Sequence, residues 1–195
     1  MIFHRSMPVR LHRDYTEYRA LLRQDFRYRC AYCLTHEYFL GGEAGCTIDH
    51  YRPIRGPDAR PDLNADYSNL YWCCRECNEN KGDHWPAPDE SARGHRFLDP
   101  CQAQDDHEVH WRTLSDGTLE PLTSIGQYTI ERLKLWRPQL QHHRAWRYLF
   151  ALERQQIEIL LQTRHVSLER RIQLNTRLAE IDLWLEPPVF DRPRA

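Results

Sequence analysis

Two Cys-x-x-Cys pairs, Cys30/Cys33 and Cys74/Cys77, bracket an Asp49-His50 dipeptide, and Asn78 follows the last cysteine directly. A Cys-x-x-Cys turn presents both sulfurs to one ion, and two such turns complete the tetrahedron of a structural zinc site. The chain has seven cysteines, an odd number. Its N-terminus, Met1-Ile2-Phe3-His4-Arg5, lacks the apolar stretch of a signal peptide. A cytoplasmic, reducing setting is therefore expected, where such pairs serve as metal ligands ahead of disulfides. A redox dithiol at Cys30/Cys33 is the competing reading. Cys73 competes with Cys74 for the fourth sulfur, and His36 is an alternative ligand. Cys46, Cys73 and Cys101 otherwise read as small packing residues.

The oxygen and nitrogen donors between and after these pairs suit a different chemistry. Side chains alternate along a strand, so Asp49 and His50 at a strand end face different ways. Asp49 and the amide oxygen of Asn78 are hard ligands of the kind Mg²⁺ or Mn²⁺ takes. His50 is the candidate general base, because imidazole is the side chain that exchanges a proton near neutral pH. A cation, a base and a water together point to phosphodiester hydrolysis. Arg52 and Lys81 are candidates to grip phosphate, Lys81 because it lies one helical turn beyond Asn78. Taken singly, each of these residues is more ordinary: a cap, a turn residue or a solvated charge.

The elements that must position them can be read from spacing. Residues 14–28 predict a helix capped by Asp14, with Tyr18, Leu21, Leu22 and Phe26 on one side. Residues 46–50 predict a short strand, β-branched at Thr47 and Ile48, and residues 69–72 a second. A helix is expected from near Cys74 to Lys81, ended by Gly82. Residues 34–45 and the proline-rich residues 52–68 read as loops, the second long enough to suggest function. Residues 83–125 look irregular apart from a hairpin at Asp116-Gly117. Helices follow over 125–135, 140–162 and about 167–185.

Taken together, Cys30-x2-Cys33, Ile48-Asp49-His50-Tyr51-Arg52-Pro53, Asn69-Leu70, Cys74-x2-Cys77-Asn78 and Lys81-Gly82 resemble the HNH endonucleases, whose fold is also called ββα-metal or His-Me finger. The resemblance covers roughly residues 28–83. It implies an α+β fold: a zinc-stapled ββα-metal HNH core with an N-terminal helix and a mainly helical C-terminal part. By the same resemblance Asp49 and Asn78 hold a catalytic Mg²⁺ or Mn²⁺, His50 activates water, and Asn69 braces the loop that orients the base. Asn78 stands where many members of the family have histidine. The implied products carry 5′-phosphate and 3′-hydroxyl ends. Beyond residue 83 a looser likeness, in Phe97-Leu-Asp-Pro100 and the helix containing Leu140 and Arg144, is to small bacterial HNH proteins of anti-phage systems of Septu and retron type. It implies an ATPase or sensor docking on the C-terminal helices.

Composition bounds these readings. The 195 residues carry a net charge of −1, which argues against a non-specific coat for nucleic acid. Acidity gathers near the candidate site: residues 61–90 hold two basic and seven acidic side chains. Only Lys81 and Lys134 among the 27 basic residues are lysines. The expected organisation is residues 1–90 as helix plus nuclease core, 91–190 as a helical extension and 191–195 as a disordered tail. No apolar run approaches the length of a membrane span. DNA is the expected substrate. An RNase acting on tRNA or other RNA, and a non-catalytic zinc-stabilised module binding nucleic acid or protein, are the alternatives.

Overall fold

The computed structural model describes residues 3–8, 11–163 and 166–189; the tail at 191–195 lies outside them. The fold is α+β, mixing helices with two small sheets. Asp14 caps a 3-10 turn over Tyr15–Tyr18 that runs straight into helix α1, Arg19–Asp25. This is shorter than the helix expected over 14–28. Arg27 and Tyr28 both take positive φ, 49° and 56°, which no α-helix continues through. The turn they make hands the chain to the first cysteine pair.

Strand β1, Cys46–His50, pairs antiparallel with β2, Leu70–Cys74, in the register Cys46 to Cys74 through His50 to Leu70. All five residues of β2 are buried. Helix α2, Arg75–Lys81, starts at once: Cys74 is its N-cap, its sulfur accepting from the amide of Cys77, and Gly82 ends it at φ 55°, ψ −149°. That backbone conformation is open to glycine and strained for other residues. The connection from β1 to β2, expected to lack structure, contains 3-10 turns at Pro61–Leu63 and Tyr67–Asn69.

Residues 83–125 hold two short helices that hydrophobic spacing did not reveal, α3 (Pro88–Ala92) and α4 (His107–His110). The expected hairpin forms from β3, Trp111–Thr113, and β4, Leu119–Pro121. Gly117 in its turn has φ 80°, and a Cβ there would lie 1.9 Å from the carbonyl oxygen of Gln141. Only glycine allows that approach. Helices α5 (Ser124–Arg132), α6 (Pro138–Gln162) and α7 (Leu168–Leu185) complete the chain. Pro138, in the gap between the helices expected over 125–135 and 140–162, is the first residue of α6, where its missing N–H costs nothing.

One apolar core draws from Phe3, Leu22, Phe26, Trp72, Phe97, Leu133 and Leu140, so residues on both sides of position 90 share it. A small second cluster, Ile157, Leu174 and Ile181, joins α6 to α7. Among the described residues no helix is long and apolar enough to cross a membrane.

Candidate functional site

The sulfurs of Cys30, Cys33, Cys74 and Cys77 all lie within 4.8 Å of one another, and all four residues are buried. A tetrahedron of ~2.3 Å zinc–sulfur bonds needs sulfurs roughly 3.8 Å apart. Both turns are built alike. The Cys33 amide points at the Cys30 sulfur at 3.5 Å, and the Cys77 amide at the Cys74 sulfur at 3.4 Å. Such amides lower the cost of thiolate charge. Burial pushes the Cys30 thiol well up, whereas S–H groups of Cys30, Cys74 and Cys77 hold Cys33 well below the usual thiol value. A dication at the centre of the cluster is what would let all four ionise. Arg137, at the head of α6, directs a guanidinium nitrogen to the Cys77 sulfur at 3.5 Å while another meets the Leu133 carbonyl at 2.6 Å. The residues therefore fit a structural metal such as zinc, with a positively charged partner outside the ligand set.

The competing ligands fall away. Cys73, one residue from Cys74 on β2, is buried outside the cluster, where burial raises its thiol well above the usual value. His36 is buried too, its Nδ1 accepting from the Tyr38 amide at 3.2 Å.

Asp49 and His50 end β1 and have separate surroundings. Asp49 is 4 % exposed. The Tyr32 hydroxyl donates to its Oδ2, and Lys81 Nζ donates to its Oδ1 at 3.1 Å. Burial, and then the Asp49 charge, raise the Tyr32 phenol well above its usual value. Tyr32 therefore stays a donor. Lys81 is 2 % exposed and also donates to the His50 carbonyl at 2.8 Å. This corrects the reading of Lys81 as a phosphate contact. Its stem runs through the core, and its ammonium ties the end of α2 to the end of β1.

The His50 ring is half-buried, edge-on to Tyr15 with centroids 4.8 Å apart. Its Nε2 lies 2.8 Å from the carbonyl oxygen of Asn64. A carbonyl only accepts, so Nε2 carries the proton and Nδ1 presents the lone pair. Asn64 belongs to the long β1–β2 connection, which thus fixes the tautomer. Asn69 pins the same connection: its Oδ1 accepts from the Arg52 amide at 2.7 Å, and its Nδ2 donates to the Arg52 carbonyl at 3.0 Å. The Arg52 guanidinium lies over the Trp85 ring, 4.6 Å from its centroid. Asn78 is half-buried in α2. His84, another metal-ligand type nearby, is paired with the Tyr128 hydroxyl at 2.6 Å.

The fold thus joins Asp49 to Lys81 and Tyr32, and Asn69 to Arg52. It places the His50 ring apart from the Asp49 carboxylate, against Asn64. Tyr32, Asn64 and Arg137 are the residues that spacing did not flag. Tyr32 sits inside the first cysteine turn, which was the available signal. Asn64 acts through its backbone, which has no signature in side-chain type.

Asp49 and Asn78 are the right kind of donors for Mg²⁺ or Mn²⁺. Their arrangement does not fit one: Asp49 is buried with an ammonium on one oxygen and a hydroxyl on the other. No family profile matches the chain, and neither a curated protein nor a solved structure matches it.

Proposed function

We propose that this chain is an HNH-type endonuclease that hydrolyses DNA phosphodiesters with His50 Nδ1 as the general base. The observation that carries the reading is the 2.8 Å contact from His50 Nε2 to the Asn64 carbonyl. It orients the ring, selects the tautomer with Nδ1 free, and stabilises the imidazolium that forms when the ring takes a proton from water. The Asn69 clamp on Arg52 supports it by holding the connection that carries Asn64. The stacking of Arg52 on Trp85 leaves a cation beside this connection for a phosphate. The resemblance implies a divalent ion at Asp49 and Asn78, but Asp49, paired with Lys81 and Tyr32, does not fit one.

The test is cleavage of plasmid DNA, with total tRNA in parallel, in Mg²⁺ and in Mn²⁺. The parent is expected to nick or linearise the plasmid. His50→Ala should lose about 10²–10⁴-fold in rate while keeping its circular dichroism spectrum and zinc content. Equal rates for parent and variant would end this reading, and cleavage of tRNA alone would move the substrate to RNA. One observation favours a second reading, a zinc-stabilised module that binds without cutting: the buried pairing of Asp49 with Lys81. That module would retain DNA in a mobility-shift assay and cleave in neither metal. As a nuclease, the chain would serve as the effector of a bacterial anti-phage system, in the cytoplasm, with an ATPase or sensor bound to α6 and α7. Co-purification from the source cell tests that assignment.

A further inference from the structure

A cavity of about 770 Å³ lies between the first cysteine turn, the β3–β4 hairpin and helices α6 and α7. Its size is that of a small-molecule site. Tyr32, Trp111, Leu119, Leu135 and Leu185 give it aromatic and aliphatic walls. Arg144, Arg147 and Arg154 line it from one face of α6. His143 lines it too, and its buried Nε2 has no hydrogen-bond partner among the described residues.

The charges around this cavity do not cancel. Asp182 and Glu186 are the carboxylates of its wall, and each already has an arginine. Asp182 pairs with Arg154 at 2.7 Å. Glu186 pairs with Arg29, and Arg147 stands 3.7 Å from it while donating to the Leu185 carbonyl at 2.7 Å. Arg144 has only neutral partners. Its Nε donates to the Gly117 carbonyl at 2.6 Å and its Nη2 to the Leu135 carbonyl at 2.9 Å, which leaves Nη1 without a partner among the described residues. Burial brings this guanidinium down to about 10, so it stays charged at neutral pH. Cys33 is the acid whose charge acts on Arg144, and no hydrogen bond joins the two. A half-buried cation without a hydrogen-bonded counter-ion is costly, and guanidinium is the group suited to carboxylate and phosphate.

We infer that this cavity binds a small organic anion, its aromatic or aliphatic body against Trp111, Leu119 and Leu135 and its one carboxylate or phosphate met by Arg144. The site needs neither His50 nor a catalytic metal. It touches the rest of the molecule at Tyr32, which lines the cavity and donates through its hydroxyl to Asp49.

The test is calorimetric titration of the full chain with four probes. Naphthoate and naphthyl phosphate carry ring and charge, naphthalenemethanol the ring alone, and acetate the charge alone. At least one of the two acids is expected to bind about tenfold or more tightly than naphthalenemethanol, the gain of a charge-assisted hydrogen bond. The tighter acid identifies the head group, and acetate should not saturate. Arg144→Met should erase the preference for the acids. Ala151→Trp fills the cavity from α6 without removing a polar contact, and should block the ring probes while leaving the circular dichroism spectrum unchanged. Failure of both acids to bind the parent, affinity no greater than that of naphthalenemethanol, or binding that survives Ala151→Trp overturns the inference. So does an Arg144→Met variant that loses zinc but keeps its preference for the acids, because the guanidinium then serves the cysteine cluster. His50→Ala should bind the acids as the parent does, so this inference and the nuclease reading fail separately.

Discussion

Strand β2 buries all five of its residues, Leu70 to Cys74, whereas the 25-residue helix α6 buries only Leu140 and Ile157. The hairpin–helix unit around β2 is small, yet it is tied from every side: by four sulfurs, by Lys81, by the Asn69 clamp, and by Arg5, which donates to the Tyr67 and Leu70 carbonyls. Helices α6 and α7 share a three-residue core and leave Leu149, Ile159, Leu160, Leu168 and Ile172 exposed. Where apolar area is scarce, the chain substitutes clustered thiols fit for a metal and buried polar braces for hydrophobic burial. Where helices are long, it relies on their own hydrogen bonds and leaves apolar surface uncovered.

Removing a sulfur is the strongest way to break this contrast. Cys77→Ala should release zinc into a colorimetric chelator and abolish the near-ultraviolet signal of buried Trp72. Much of the far-ultraviolet helix signal should remain, because Ile157, Leu174 and Ile181 form an apolar cluster separate from the core that holds the cage. Loss of both signals in one transition would show that the two regions fold as a unit. A smaller effect is expected at the clamp. Asn69→Ala leaves the Arg52 amide and carbonyl without partners and should cost about 1–3 kcal/mol in a urea titration. It should also slow cleavage, because the connection that bears the Asn64 carbonyl is loosened.

Acid should sharpen the comparison more gently. Burial, with Arg29 nearby, brings His36 down to about 4, and burial, with Arg147 nearby, does the same for His143. The unfolded imidazoles take a proton near 6.5 and the folded ones do not until about 4, so protons favour the unfolded chain between those values. Stability should be full above about pH 6.5 and decline as pH falls toward 4, in a melting-temperature series. His143→Gln should flatten the part of that decline that comes from α6, where His143 stacks with Trp184. The least effect is expected on the uncovered face. Leu160→Glu should change stability by no more than about 0.5 kcal/mol in the same titration. A larger loss would mean that this face is buried in solution.

The sequence made the cysteine cage legible because ligand spacing is local chemistry. The β1–β2–α2 order was legible because Thr47 and Ile48 favour extended backbone and Gly82 permits the conformation that ends α2. The end of α1 was not, since Arg27 and Tyr28 adopt positive φ against their own preference. The five-residue α3 and four-residue α4 are too short for a periodic signal. At the candidate site the residue types could be named in advance, but not their partners. Lys81 reads as a surface charge until the core closes over it. Tyr32 and Asp49 are 17 positions apart, and their bond exists only once β1 lies beside the first cysteine turn.

That bond has a bearing on oxidative stress. Tyr32 occupies the position between Ala31 and Cys33, so the loop that presents two of the clustered thiols also supplies the hydroxyl that steadies Asp49. Peroxide that converts Cys30 and Cys33 to a disulfide would reshape that loop and pull the phenol away. The carboxylate would then lose a donor without itself being modified, which links the redox state of the thiols to an acid on the neighbouring strand.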